Sequence, residues 1–388
     1  MPSFNWGLTV LLILACISHY AVPFDPHLAH CNMLEVEQLV AQSHQYAAQA
    51  YRQQVFALIA ERLKTYRERD AGYGNIGIYV EEIASGFSYG YDADRSELRP
   101  NGNYVGYFHT ASVAKLLIAY VFYYLDDLGE VDIWQVHTDP VVGQQQQWQR
   151  LIHRMITHSV NLHHNIILRY LGSNMATQTL RELGLTQSTL SRELAPAPGT
   201  ANATCLERYG TLDAPRTTPA DLGCILASLA RGNVLSSENN ELFMQALTNT
   251  IYNSRIPKAL NFIVPVAHKT GTKDHVYNDA ALVLLPENEF VLVLLTRGAP
   301  NRIQSLMRDI TRDLYEFHCL RRDSGEVEQI RSLNEWLARN NHIRKQKLVG
   351  VIPTSFCYIL LPRFVLGRLT VPLVISRARP TARPSRPC

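Results

Sequence analysis

The feature that most constrains this chain is where its strand-like runs fall. Ile76 to Glu82 and Gly86 to Tyr91 alternate like a hairpin turning near Ala84-Ser85-Gly86. Far downstream, Ala280 to Leu285 and Phe290 to Thr296 flank the turn Pro286-Glu287-Asn288-Glu289. Helical patterns dominate between them, from Ser112 to about Gly232, and return over Asn301 to Leu320. Such strands make one sheet only by pairing across the chain. The pattern predicts a mixed α/β domain of the α+β type over residues 72–320.

The flanks read differently. Leu34 to about Arg69 has no Gly or Pro and spaces its apolar residues three and four apart, which predicts a long amphipathic helix within residues 25–71. Trp6 to Ile17 has the length of a signal-peptide core and is too short to span a bilayer comfortably, so residues 1–24 read as a signal peptide or N-terminal apolar anchor. A buried apolar segment is the plainer alternative. Residues 321–388 read as helical and then Arg/Pro-rich, with a partly disordered end. The apolar stretch Leu348 to Ile375 is broken by Pro353, Pro362, Arg363, Arg368 and Pro372, so at most weak membrane association through the termini is expected.

With 37 basic and 34 acidic residues the net charge is +3, which gives no support to nucleic-acid binding. The cysteines are sparse and lack C-x-x-C spacing, arguing against a zinc site. Cys205 and Cys224 pair in an oxidising compartment or stay as free buried thiols. No His falls in a metal-ligand spacing, so neither metal nor cofactor is expected.

Three short motifs carry chemistry. In Ser112-Val113-Ala114-Lys115, the i, i+3 spacing puts a hydroxyl and an amine on one helix face. A serine is a weak nucleophile until a base takes its proton, and Lys115 is such a base only if burial or a second cation lowers its pKa. A helix starting near Ser112 also turns its first amides toward a developing oxyanion. A helix cap followed by a solvated lysine spells the same letters. Ser159-Val160-Asn161 offers a proton relay to a departing nitrogen and an amide for the substrate, although Ser and Asn are also common caps. Lys269-Thr270-Gly271-Thr272 offers a cation, two hydroxyls for a carboxylate, and backbone that approaches a ligand at Gly271; an ordinary strand end reads alike.

In this order, the motifs resemble the S-x-x-K, S-D-N and K-T-G signature of class A β-lactamases and penicillin-binding proteins. Phe108 ahead of the serine, Asn165 four residues after Asn161, and Thr217-Thr218-Pro219 closing a long loop extend the likeness over roughly residues 72–320. It implies the β-lactamase/transpeptidase-like fold, a mostly antiparallel sheet packed against helices with an inserted all-helical region. It further implies Ser112 as nucleophile, Lys115 as acylation base, Ser159 as proton relay, and an oxyanion site at the amides of Ser112 and Thr272. Lys269, Thr270 and Thr272 would bind the carboxylate, and Asn161 would orient the acyl side chain.

The chain departs from the pattern at three places. Val160 replaces the middle Asp. The loop SRELAPAPGTANAT lacks the E-x-x-x-N of class A enzymes, leaving Glu193, with Glu207 as fallback, as base for the deacylating water. The strand after K-T-G carries no Arg, and its Asp279 would repel an anionic substrate unless it points away or pairs with Lys269 or Lys273. The expectation is a secreted, periplasmic or extracellular monomer hydrolysing a β-lactam. The alternatives are a penicillin-binding D-alanyl-D-alanine peptidase that deacylates slowly on a peptidoglycan-type peptide, and a non-hydrolytic sensor or binding module. A sequon at Asn202-Ala203-Thr204 matters only in a host that glycosylates secreted proteins.

Overall fold

A computed structural model describes residues 33–69, 75–92, 108–143, 145–194 and 214–341. The expected signal at residues 1–24, Glu207, the sequon and the Arg/Pro-rich end lie outside the described residues. In chain order the elements are α1 (Met33–Arg69), β1 (Asn75–Glu82), β2 (Ser88–Asp92), β3 (Phe108–His109), a 3-10 turn (Ala111–Val113), α2 (Ala114–Asp127), β4 (Val136–Thr138) and β5 (Gln145–Gln147). Then come α3 (Trp148–Thr157), α4 (Asn161–Leu171), α5 (Ser173–Glu182), β6 (Arg216–Thr217), α6 (Pro219–Arg231), α7 (Ser237–Thr248) and α8 (Ile256–Ala259). The chain returns to the sheet through β7 (Val266–Lys273), β8 (Val276–Val283) and β9 (Phe290–Arg297), and continues into α9 (Pro300–Asp323) and α10 (Glu326–Asn341).

The chain-distant pairing holds. The main sheet runs β2-β1-β9-β8-β7 and is antiparallel throughout, with β1 against β9 in the register Ile78↔Leu294 and Val80↔Leu292. Period-two alternation gives β9 two apolar faces. Phe290, Leu292 and Leu294 join the core under α1 and α9, whereas Val291, Val293 and Leu295 join the core under the helical region. A sheet covered on both faces explains why β9 is an unbroken apolar run. Helix α1 buries Tyr51, Val55, Ile59 and Leu63, a four-residue seam, against the same core as Ile303, Leu306 and Ile310 of α9.

One buried ion pair ties this layer to the edge of β1. Glu82 is fully buried, and Arg321 holds it with two hydrogen bonds, Nε to Oε1 at 2.9 Å and Nη2 to Oε2 at 3.0 Å. Burial alone would raise the Glu82 pKa, but this pairing outweighs it and holds the carboxyl below its usual range.

The helical region is built around α2, whose residues Ala114 to Tyr123 are all buried. Two small sheets interrupt the helical stretch, β3 with β6 and β4 with β5, which periodicity had not indicated. The β4–β5 turn is set by the Asp139 carboxylate, which accepts from the amides of Val141 and Val142 and from Arg169. That is side-chain chemistry, and it leaves no periodic trace. Helix α6 is capped at Thr218, whose hydroxyl accepts from Asp221 N, with Pro219 at its first turn and Gly232 left-handed at its end. Cys224 is disulfide-bonded, and Cys319 is a free thiol. No helix of the described residues is long and apolar enough to cross a membrane.

Replacing Arg321 with Leu strands the Glu82 carboxylate in the core. Stability should fall by about 3–5 kcal/mol in urea unfolding, and adding Glu82→Gln should restore part of the loss.

Candidate active site

The sequence brings Ser112 to the site through a strained entry. Ala111 has φ of 45°, in the left-handed region, and Thr110 is held below it by a hydrogen bond from its hydroxyl to Pro215 O. The helix expected to begin near Ser112 begins as the 3-10 turn, with α-helical geometry from Ala114. Lys115 lies in the first α-helical turn, completely buried, beside the half-buried Ser112.

The three motifs converge. Lys115 Nζ is 2.8 Å from Ser112 Oγ, 2.6 Å from Asn161 Oδ1 and 3.4 Å from Ser159 Oγ. Lys269 Nζ reaches the same Ser159 hydroxyl at 3.0 Å and its neighbour's carbonyl, Thr270 O, at 3.0 Å. Ser159 therefore sits between two buried amines, and its own φ of 56° is a second left-handed non-glycine position at the site. Gly271 is required by space: a Cβ there would come within 2.8 Å of Thr110 O and 3.1 Å of Ser112 N. Only glycine lets β7 run this close to the start of the helix, which sets the Ser112 and Thr272 backbones across from one another.

Electrostatics follow from this packing. Burial, and then the Lys269 charge, bring the Lys115 pKa down to about 6. Burial brings Lys269 down to about 7, with Asp279 opposing the shift and Arg255 adding to it. His164 lies fully buried nearby, and burial with the Lys115 charge drives it down to about 3, so it adds no third cation at neutral pH. At neutral pH Lys115 is mostly an amine with a lone pair facing a hydroxyl. Such a group can take the serine proton.

Asp279 is turned away from the pocket. It is fully buried, bonded to His268 Nδ1 at 2.9 Å, and accepts from Ile256 N at 3.1 Å. Burial would raise its pKa, but pairing with His268 and the Arg255 charge hold it below the ordinary range. The guanidinium missing from the strand after K-T-G arrives from elsewhere. Arg255, just ahead of α8, donates from Nη2 to Thr272 Oγ1 at 2.5 Å and from Nη1 to Asn278 O at 2.7 Å, and its buried Nε has no partner. A lone Arg before Ile-Pro carries no motif, so only the fold reveals it.

Glu193 does not join the lysine network. It borders the same pocket of about 200 Å³, but its carboxylate accepts from Arg169 Nη1 at 3.1 Å, and none of the Lys115 hydrogen bonds goes to it. Glu193 thus lies at the pocket, as expected, but paired with Arg169 and apart from the lysine network. The next residue, Leu194, is fixed into the pocket wall. Asn165 clamps its backbone from both sides, Oδ1 accepting from Leu194 N at 2.9 Å and Nδ2 donating to Leu194 O at 3.1 Å. A larger groove of about 780 Å³ runs between α1 and α9 and holds none of these groups. Among the described residues no cluster of His, Cys, Asp and Glu is arranged to hold a metal ion.

The Lys115 amine can be titrated directly. In spectra of the protein with isotope-labelled lysine, its side-chain resonance should move with a midpoint near pH 6 rather than in the usual lysine range. In Lys269→Met the loss of a neighbouring cation should move that midpoint upward.

The beta-lactamase enzyme family matches this chain over residues 58–318. Among solved structures, PBP-A is 22% identical with a TM-score of 0.55, over 67% of this chain and 95% of PBP-A. A leucine-to-glutamate mutant of PBP-A is an acyl-enzyme complex with penicillin-G. A β-lactamase from Sphaerobacter thermophilus is 20% identical with a TM-score of 0.54, over 69% of this chain and 97% of that one. A variant of the last common ancestor of Gram-negative bacteria class A β-lactamase is 24% identical with a TM-score of 0.54, over 67% and 97%. No curated protein matches the chain in sequence. The fold is that of these neighbours, and with more than half its length matched, this chain belongs to the beta-lactamase enzyme family as a β-lactamase-like serine hydrolase.

Proposed function

We propose that the protein forms an acyl-enzyme at Ser112 from a β-lactam or a peptide ending in a carboxylate, and that it releases the acyl group slowly, in the manner of a penicillin-binding peptidase. The observation that carries acylation is the buried Lys115 amine, 2.8 Å from Ser112 Oγ. In the proposed step the Ser112 proton passes to Lys115 Nζ as Oγ adds to the carbonyl carbon. The oxyanion rests on the backbone N–H groups of Ser112 and Thr272. The proton then returns through the Ser159 hydroxyl to the amide nitrogen as the C–N bond breaks. Lys269, Thr270 and Thr272 receive the substrate's carboxylate, with Arg255 behind Thr272 adding positive charge, and Asn161 meets the acyl amide.

Slow release rests on the residues of the pocket wall. Deacylation needs a base for water, and Leu194 has none, while Glu193 is engaged by Arg169. PBP-A, among the structural neighbours, forms an acyl-enzyme with penicillin-G even as a leucine-to-glutamate mutant, which supports acylation; here Leu194 lines the pocket that holds Ser112. The competing reading, a fast class A β-lactamase, requires Glu193 to leave Arg169 and activate water. The disulfide at Cys224 supports an oxidising, extracytoplasmic compartment.

The purified chain should take a covalent fluorescent-penicillin label that persists, and Ser112→Ala should abolish it. Leu194→Glu should shorten the label's lifetime by about a hundredfold, the contribution of one placed general base. Sustained turnover of a chromogenic cephalosporin by the unmodified protein would overturn slow release. Neither label nor turnover would overturn the serine reading and leave a binding role.

A further inference from the structure

Beyond the cations already described, the pocket that holds Ser112 carries further positive charge. Strand period two places Lys269, Gly271 and Lys273 on the same face of β7. Gly271 is the residue pressed against Ser112 N, so the two lysines flank the serine, their Cα atoms about 13 Å apart at about 3.3 Å per residue. Lys269 stands on the side of Ser159. Lys273 extends the row past Ser112, toward a wall formed by His109 and Arg192.

Among the described residues neither Lys273 nor Arg192 forms an ion pair, and Arg192 Nε is buried without a hydrogen-bond partner. Of the carboxylates next to these cations in sequence, Glu193 is held by Arg169, and Asp274, which follows Lys273, is exposed and does not line the pocket. His109 is oriented by the backbone: Ala111 N donates to its Nδ1 at 2.9 Å. An Nδ1 that accepts is deprotonated, which leaves the proton of the neutral ring on Nε2 as a free donor. Burial, with the charges of Lys273 and Arg192, lowers the His109 pKa and keeps the ring in that neutral form. Two cations and one oriented N–H thus border the same small pocket as the serine.

We propose that Lys273, Arg192 and His109 form a second anion-binding subsite on the acyl side of Ser112. The preferred substrate is then a dianion, with one anionic group on its acyl portion and the other on the carboxylate beyond the scissile bond. The inference rests on the acyl-serine reading above and names its substrate class. A monoanionic substrate leaves the subsite unfilled. A dianionic one gains at both ends.

A matched pair of penicillins tests this. Benzylpenicillin and its α-carboxy derivative, carbenicillin, differ by one carboxylate on the acyl side chain. The second-order rate constant for acylation, measured by loss of fluorescent-penicillin labelling, should favour carbenicillin by about fivefold at low salt. The preference should shrink as ionic strength rises and the exposed Lys273 is screened. The ratio between the two compounds should fall to about one in an Arg192→Gln, Lys273→Gln double variant, and Arg192→Lys should restore part of it. Equal rates in the unmodified protein, or a preference untouched by the double variant, would overturn the subsite. Binding of the two compounds to Ser112→Ala by calorimetry separates the two claims. A carbenicillin preference there, without any acylation of the unmodified protein, sinks the serine chemistry and keeps the subsite. No preference in that variant sinks the subsite whatever the serine does.

Discussion

The site depends on holding two lysine side chains in one water-poor pocket. Each ammonium loses hydration on burial, the Lys269 charge further disfavours charging Lys115, and Arg255 does the same to Lys269, so both lysines are displaced toward the neutral amine. The fold supports this by supplying neutral acceptors rather than carboxylates: Ser112, Ser159, Asn161 and the Thr270 carbonyl. A carboxylate in direct contact would bring the lysine pKa values back up and remove the base. The one buried acid near Lys269, Asp279, is placed behind the strand and bonded to His268 instead. Its effect on Lys269 is therefore partial, and Lys115 stays low.

That arrangement demands close approach of elements far apart in the chain. Gly271 lets β7 touch the Thr110–Val113 turn, and Asn278 on the neighbouring strand donates to the carbonyls of His109 and Thr110, fixing the turn from below. The left-handed backbone at Ala111 and Ser159 is kept in place by these surroundings. The sheet is held in turn by two apolar cores and, at its edge, by the Glu82–Arg321 pair. Strain at the serine is thus carried by rigid structure on both faces of the sheet.

How much of this could be read from the chain depends on the kind of information involved. The paired strands and α1 were legible because hydrophobic period is local. Ser112, Lys115, Ser159, Asn161 and the Lys269–Thr272 segment were legible because three short motifs occur in order. Arg255 was not, because its partner Thr272 lies on another element and no local pattern marks it. The β4–β5 hairpin escaped because Asp139 makes it through side-chain hydrogen bonds, and its flanking glutamines carry no alternation. Glu193 was named as the carboxylate of the loop that resembles the E-x-x-x-N loop of class A enzymes. Its Arg169 partner lies on α4, which only the fold brings across.

The same clamp bears on the two halves of the reaction. Asn165 uses both ends of its amide on the Leu194 backbone, so the side chain at that position is fixed in direction whatever its identity. A leucine held there presents apolar surface next to Ser112, and apolar surface disfavours the ordered, polarised water that hydrolysis of an ester requires. The proposed acylation needs no such water, because its proton would travel over side chains alone, from Ser112 to Lys115 and on through Ser159. One pocket can therefore be well built for forming the acyl-enzyme and poorly built for losing it to water. In the proposed reaction the identity of residue 194, rather than the lysine pair, sets how long the acyl group stays.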